Sequence, residues 1–139
     1  MTQLRVREAA TFLGVSEDTL RRWVDKGALE AGRDGAGRMV LEGAEVARHA
    51  RELAVAPELP GTPSSARNRL VGLVTNVVMD TVMAQVELQC GPFRVVSLMS
   101  SEAARELGLE PGRVASAVVK ATQVVIEADP RHRTEGAAG

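Results

Sequence analysis

A proline-containing segment constrains the fold most, because it divides the chain into two halves with different residue patterns. This segment, LAVAPELPGTPSS at residues 53–65, contains three prolines and a glycine, a composition typical of a linker. Apolar residues before it recur at helical spacing, whereas those after it alternate as in strands. We therefore predict two domains, at residues 1–52 and 64–128, with a linker at 53–63 and a flexible tail at 129–139.

Composition limits the classes of protein to which the chain can belong. With 139 residues, of which 45% are hydrophobic and 25% charged, the chain is expected to be globular. Its net charge of −1 provides no overall attraction to DNA or membranes, so any nucleic-acid contact must come from a local patch. A single cysteine, Cys90, and the lack of a long apolar run or signal-peptide pattern predict a cytoplasmic protein without a disulfide or a membrane span.

The first half predicts three short helices and a hairpin. The apolar face of the first helix is Val6, Ala9, Ala10 and Leu13. Gly14 ends that helix, and Ser16 is a suitable N-cap for a second one that ends at Gly27. Glycine-rich residues then predict a hairpin with its turn near 34–37, and a third helix covers about 42–53. Two helices joined by a tight turn and followed by a hairpin indicate a winged helix-turn-helix.

The second predicted helix has the residues that a DNA-reading helix needs. Its inward stripe is Leu20, Trp23 and Val24. The side chains expected to contact phosphates or base edges, on this helix and the hairpin, are Ser16, Thr19, Arg21, Arg22, Lys26, Arg33 and Arg38. An alternative is that they are ordinary solvated residues, since residues 1–52 contain nine basic and nine acidic side chains.

The same segment resembles a known family. VREAATFLGVSEDTLRRWVDKGAL, followed by a hairpin rich in Gly and Arg, is similar to the MerR/excisionase class of winged helix-turn-helix over residues 4–52. This resemblance implies DNA binding, normally as a dimer.

The second half predicts a small barrel. Residues 69–79, 82–90, 93–98, 113–121 and 122–128 read as five strands, with one short helix before the fourth strand. In the second strand Ala84, Val86, Leu88 and Cys90 share one face. Five strands with this helix indicate an OB-like barrel, so the fold class of the whole chain is α+β.

Hydrogen-bond donors without a carboxylate open the first of these strands. The stretch SARNRL at residues 65–70 suits a tetrahedral oxyanion, which needs several N–H and O–H donors and a nearby positive charge. Ser100 and Ser101 at the helix start and Lys120 near a strand end are further candidates. A pocket of donors alone favours an unprotonated anion, so molybdate or tungstate fits better than hydrogen phosphate.

Three strips of the second half carry another resemblance. SARNRLVGLVTNVV, LMSSEAARELGLEPG and AVVKATQVVI, in this order, are similar to the Mop domain, the TOBE-type molybdate-binding module of molbindins and molybdate-responsive regulators, over residues 64–127. The resemblance implies an OB-like barrel, exchanged strands, and oxyanions held at subunit interfaces. The oxyanion-binding residues that we predict are Ser65, Ala66 (through its backbone), Arg67, Asn68, Ser100, Ser101, Lys120 and Ala121.

One position departs from the family pattern. Ala103 stands where family members commonly have Ser, and the loss of that hydroxyl would weaken anion binding by about 1.5–3 kcal/mol.

Together these patterns predict a molybdate- or tungstate-responsive, DNA-binding transcriptional regulator. It should be a homo-oligomer, either a dimer or a higher assembly such as a hexamer. Two alternatives stay open: a store or buffer for molybdate or molybdenum pterin whose helical domain serves assembly, and a DNA-binding protein with an inactive anion site. The sequence has no nucleophile–base pair, P-loop or metal-ligand spacing, so we expect no enzyme, no catalytic cofactor and no directly bound metal.

Overall fold

The computed structural model describes residues 2–132, which form two compact units. Residues 2–55 and 127–132 form the first unit, and residues 56–126 form the second. The division falls inside the proline-containing segment.

The first unit contains three helices and a small sheet. Its elements are β1 (Gln3–Arg5), α1 (Val6–Leu13), α2 (Glu17–Asp25), β2 (Gly32–Arg33), β3 (Met39–Glu42) and α3 (Gly43–Leu53). Gly14 ends α1 in the left-handed conformation, with φ of 70°, and the hydroxyl of Ser16 accepts the N–H of Thr19 at 3.1 Å to cap α2. These contacts confirm the predicted helix-turn-helix.

Strand β1 was not predicted. It pairs with β3 in a three-stranded antiparallel sheet of order β1-β3-β2, with Leu4 opposite Leu41. Three residues are too few to display an alternating pattern, and their partner lies more than thirty residues away in the sequence. The buried core under this sheet is Leu4, Val6, Ala9, Ala10, Leu13, Leu20, Leu29, Leu41 and Val46.

The second unit is a curled antiparallel sheet with one helix. Its elements are β4 (Asn68–Met79), β5 (Met83–Cys90), β6 (Phe93–Ser100), α4 (Ser101–Glu106) and β7 (Val114–Val119), with strand order β6-β5-β4-β7. The predicted inward residues of β5 are buried, namely Ala84, Val86, Leu88 and Cys90. This arrangement confirms the α+β class and the antiparallel, barrel-like character of the second half.

Strand β4 changes partner along its length. Residues 68–73 pair with β7, whereas residues 73–79 pair with β5, and the register shifts between Val74 and Asn76. The loop before β7 is fastened at this shift, because Gly112 donates its N–H to the carbonyl of Val74 at 2.8 Å and Val74 donates to Arg113 at 2.9 Å. The sheet therefore bends around Val74, while β6 and β7 remain as its two edges.

Gly72 is required where β4 approaches the end of β5. A Cβ atom at this position would overlap the carbonyl oxygen of Gln89 and lie 2.7 Å from Sγ of Cys90. No side chain fits there without moving the backbone of β5.

The fifth strand predicted for residues 122–128 was wrong for the single chain. A 3-10 turn covers Ala121–Gln123, and Val124, Val125 and Ile126 follow it without strand pairing, 43%, 85% and 83% exposed. A strand needs a neighbour to satisfy its backbone groups, and the described part of one chain offers none at this point. Of the predicted tail, residues 130–132 form a second 3-10 turn, and residues 133–139 lie outside the described residues.

Candidate oxyanion site and candidate DNA-binding surface

The first and last predicted strips meet at one corner of the second unit. Asn68 lies opposite Val119 across β4 and β7, and its Nδ2 donates to the carbonyl of Val119 at 3.1 Å. Because the strands are antiparallel, Arg67 and Lys120 continue this pairing outward on the two sides of the same corner. Both side chains are exposed, and neither makes an ion pair with any residue between 2 and 132.

The backbone donors at this corner have different surroundings. Ser65 is exposed, and the N–H of Ala66 donates to Oγ of Ser64 at 3.1 Å. An anion that used the Ala66 amide would replace this exposed local bond. Ala121 begins the 3-10 turn that follows Lys120.

The middle strip lies at the opposite end of the sheet. Ser100 is opposite Met83, and the N–H of Asp80, just after β4, donates to the carbonyl of that methionine at 2.9 Å. Strand β4 has 12 residues, so its ends are up to about 36 Å apart at ~3.3 Å per residue. Within one chain, Ser100 therefore cannot share a tetrahedral anion with Arg67 and Lys120.

The two serines of the middle strip differ in their hydrogen bonds. Ser100 is exposed, and its Oγ accepts the N–H of Ala103 at 3.1 Å as the N-cap of α4. This leaves its hydroxyl proton available to an outside acceptor.

Ser101 is only 3% exposed and is held by the turn between β4 and β5. Its hydroxyl donates to the carbonyl of Thr81 and its N–H to the carbonyl of Val82, both at 2.8 Å. Both donors that the sequence offered for an anion are therefore used inside the domain. Ser101 attaches the start of α4 to this turn.

Sequence reasoning missed Asp80, which shapes that turn. Its Oδ1 accepts the N–H of Met83 at 2.7 Å and of Val82 at 2.8 Å. These two backbone bonds, that of Met83 first, lower the pKa of the Asp80 carboxyl. An aspartate opening a tight turn is the signal that would have found it.

The candidate DNA-binding surface begins with one row of side chains on α2. Thr19, Arg22 and Lys26 follow helical spacing along one side, opposite the buried Leu20. Nη2 of Arg22 donates to Oγ1 of Thr19 at 3.1 Å, and Ser16 donates its hydroxyl to the same oxygen at 2.9 Å. The guanidinium of Arg22 is therefore supported by the helix cap.

The hairpin between β2 and β3 is organised by Asp34. Its carboxylate accepts the backbone N–H groups of Ala36 and Arg38, both at 2.9 Å, and pairs with Nε of Arg38 at 3.0 Å. These contacts, led by the backbone bond from Arg38, lower the pKa of Asp34. Nη1 of Arg33 donates to the carbonyl of Gly37 at 3.2 Å. Both predicted hairpin arginines are thus fixed at the turn.

Two arginines that the sequence did not indicate lie beside these residues. Arg5 and Arg7 border a cleft of about 500 Å³ between the start of α1, the start of α2 and the hairpin. We call this the arginine cleft; its charged lining is Arg5, Arg7, Glu17, Arg21, Arg33 and Arg38. Arg5 and Arg7 gave no signal in the sequence because they belong to the unpredicted β1 and to the first turn of α1.

Two general features also bear on function. Within residues 2–132, no helix has the length and apolarity needed to cross a membrane. The same residues contain no cluster of three or more His, Cys, Asp or Glu side chains that would hold a metal ion.

Comparisons with known proteins match both units. The TOBE domain family matches residues 64–126, and a helix-turn-helix domain family matches residues 4–54. Molybdenum-pterin-binding protein 2 of Clostridium pasteurianum is 40% identical over 63 residues, which are 45% of this chain and 93% of that protein. A probable molybdenum-pterin-binding protein of Haemophilus influenzae is 41% identical over 63 residues, 45% of this chain and 91% of that one. The solved structure of a molybdate binding protein from Sporomusa ovata aligns with a TM-score of 0.46 and 30% identity, covering 48% of this chain and all of that one.

The fold and these matches define a two-domain binding protein, with a helix-turn-helix domain followed by an anion-site domain. Through residues 64–126 the chain belongs to the TOBE domain family, together with the molybdenum-pterin-binding proteins. Both resemblances seen in the sequence are thereby confirmed. The matched relatives are little longer than the TOBE domain itself, so they have no counterpart of residues 4–54.

Proposed function

We propose that the protein is a transcriptional regulator that binds DNA through its helix-turn-helix domain and senses molybdate or tungstate through its TOBE domain. One observation carries the proposal: the donors at the corner of β4 and β7 lie up to about 36 Å from Ser100. A complete anion shell therefore combines one chain's corner with Ser100 of a second copy. Anion binding and assembly become a single event.

The chemistry of the donor set supports an unprotonated oxyanion. Arg67 and Lys120 supply two positive charges, and Ser65 supplies a hydroxyl. Asn68 spends one of its two amide protons on Val119 and keeps the other. Backbone groups of Ala66 and Ala121 complete the set, and the second copy adds its Ser100.

Unpaired apolar surface in the second unit supports self-association. A groove of about 470 Å³ runs between the edge strands; its apolar lining includes Val86, Leu88, Val95, Leu109 and Val119. Residues 124–126 of the same unit are exposed and β-branched. An extended segment of this kind adds well to the open sheet edge of another copy.

Regulation requires a difference in affinity. An anion at the interface shifts the protein only if it binds one arrangement of copies more tightly than another. In our proposal, fixing the TOBE domains changes how the paired DNA-binding domains are presented to the two halves of an operator.

A store or buffer for the oxyanion is the second candidate. It is favoured by the relatives, whose length is nearly that of the TOBE domain alone. In this case the helix-turn-helix domain would serve assembly. In either case we infer a binding protein rather than an enzyme, located in the cytoplasm, where its one thiol, buried at Cys90, stays reduced.

Calorimetric titration with molybdate, against sulfate and phosphate, tests the anion site. We expect selective binding that is lost in Arg67→Gln and kept in Arg69→Gln, the matched charge removal two residues along the same chain. Equal loss in both variants would contradict the assignment.

Selection from random duplexes, with and without molybdate, separates the two functions. Enrichment of one sequence that depends on the anion supports the regulator. Anion binding without any enrichment would leave the store as the function.

A further inference from the structure

We propose that the arginine cleft binds the phosphate backbone of duplex DNA, and that Arg5 and Arg7 are DNA-positioning residues there. The inference rests on the proposed DNA-binding function and adds residues that neither the helix-turn-helix pattern nor the hairpin supplies.

Three separate elements converge on the cleft. Arg5 and Arg7 come from the junction of β1 and α1, Arg21 comes from α2, and Arg33 and Arg38 come from the hairpin. The pairing of β1 with β3 sets this arrangement, because Arg5 lies opposite Val40 next to the hairpin strand that carries Met39. The sheet that the sequence did not predict thus brings the first arginines beside the second helix and the hairpin.

The charge of the cleft is unbalanced. Five of the nine basic residues of segment 1–52 line it, against the single carboxylate of Glu17 in its lining. Of the five, Arg38 alone makes an ion pair with a described residue, through Asp34. Arg5, Arg7 and Arg21 are exposed and make no ion pair within residues 2–132. A segment with no net charge that gathers its cations in one place has the local patch that nucleic-acid binding requires.

Arginine suits a phosphate ligand better than a merely solvated role. Its planar fork donates two parallel hydrogen bonds to phosphate oxygens. The lining also alternates in origin, so a chain of phosphates, rather than one small anion, matches cations that come from three elements. Arg21 of the cleft directly precedes Arg22 of the row on α2, so backbone contacts in the cleft would fix how that row meets the bases.

Arg5 occupies a position that helix formation alone would give to another residue. It is the N-cap of α1, where Ser, Thr, Asp and Asn are preferred because their side chains accept helix N–H groups. The side chain of Arg5 makes no capping hydrogen bond. Its own N–H is bound by Oε1 of Glu8 at 3.4 Å, which leaves the guanidinium to the cleft.

The test compares charge removals inside and outside the cleft in the full-length protein. The variants are the double change Arg5→Gln with Arg7→Gln, its Lys counterpart, Glu17→Gln, and Arg51→Gln on the exposed side of α3 as the matched control. Duplex binding is measured by fluorescence anisotropy across a range of salt concentrations, on the sequence selected for the wild type. Circular dichroism and thermal unfolding check that each variant is folded.

Each phosphate contact contributes about 0.9 to the slope of log affinity against log salt. The double Gln variant should therefore lose about 1.8 in slope per chain, which at 0.1 M salt is roughly eightfold in affinity for each contact. The double Lys variant should recover most of the slope, Glu17→Gln should bind more tightly than the wild type, and Arg51→Gln should be unchanged.

The outcomes separate this inference from the proposed function. A folded double Gln variant with wild-type slope and affinity overturns the inference and leaves DNA binding standing. An equal loss in Arg51→Gln also overturns it, because the effect would then be one of net charge. A wild type that binds no duplex at any salt concentration overturns the proposed function, and the inference with it.

Discussion

Ser100 and Ser101 are adjacent in sequence but should fail in different ways when each is changed to Ala. Ser101 is buried, and its hydroxyl donates to Thr81 at 2.8 Å. Removing this bond should lower the free energy of unfolding of the TOBE domain by about 1–3 kcal/mol. Anion affinity of the folded protein should stay unchanged, because Ser101 has no donor left for a ligand.

Ser100→Ala should mainly weaken the ligand. The N-cap bond to Ala103 contributes about 0.5–2 kcal/mol to stability, so some loss of stability is expected here too. In addition the anion loses a hydroxyl donor, and a hydrogen bond to a charged group contributes about 1.5–3 kcal/mol. This corresponds to an increase in Kd of roughly ten- to over a hundredfold. Ser100→Thr keeps the hydroxyl and the cap, and serves as the matched control.

Two measurements decide between these roles. Thermal unfolding without ligand reports stability, and a domain of this size shifts its Tm by about 4–8 °C for each kcal/mol. Calorimetry with molybdate, below the Tm of every variant, reports affinity. Loss of molybdate binding in Ser101→Ala at unchanged stability would refute the reasoning, because that serine would then be a ligand residue.

Three further outcomes are expected. Gly72→Ala should lower the free energy of unfolding by about 1–3 kcal/mol, measured by urea denaturation, because its Cβ would overlap the backbone of β5. The pKa of Asp34 is lowered, first by the backbone N–H of Arg38, so its contribution to stability is present above the unfolded pKa of about 4 and is lost as pH falls through the lower folded value. Asp34→Asn should therefore flatten the acid side of the stability profile of the helix-turn-helix domain, and an unchanged profile would contradict this. Ile126→Glu should shift the protein to smaller species in sedimentation velocity, whereas Val55→Glu, equally exposed in the monomer, should not.

The helices and most strands could be predicted because their signals are local. Gly14 and Ser16 mark the turn between the first two helices, and the alternation from Ala84 to Cys90 marks a half-buried strand. In each case the residues that determine the element lie within it, so no knowledge of distant partners is needed.

The failures have the opposite cause. Strand β1 depends on β3, so three residues of sequence could not reveal it. Residues 122–128 have a strand's composition but no partner within the described chain, so composition alone gave the wrong element. Ser101 has the right chemistry for an anion, and only the position of the turn at Thr81 reveals that its hydroxyl is already bonded.

The change of partner along β4 has a consequence for the order in which the TOBE domain folds. Pairs between β4 and β5 join residues as few as five positions apart, whereas Asn68 and Val119 are 51 positions apart. Contacts at such separation close late, because the loop entropy is lost before the pairing compensates for it. The corner that carries Arg67 and Lys120 should thus form last and, as an edge held by one neighbour, exchange its amide hydrogens first. An oxyanion that bridges this corner would stabilise the least protected pairing of the domain, and its binding would be visible as slowed exchange at β7.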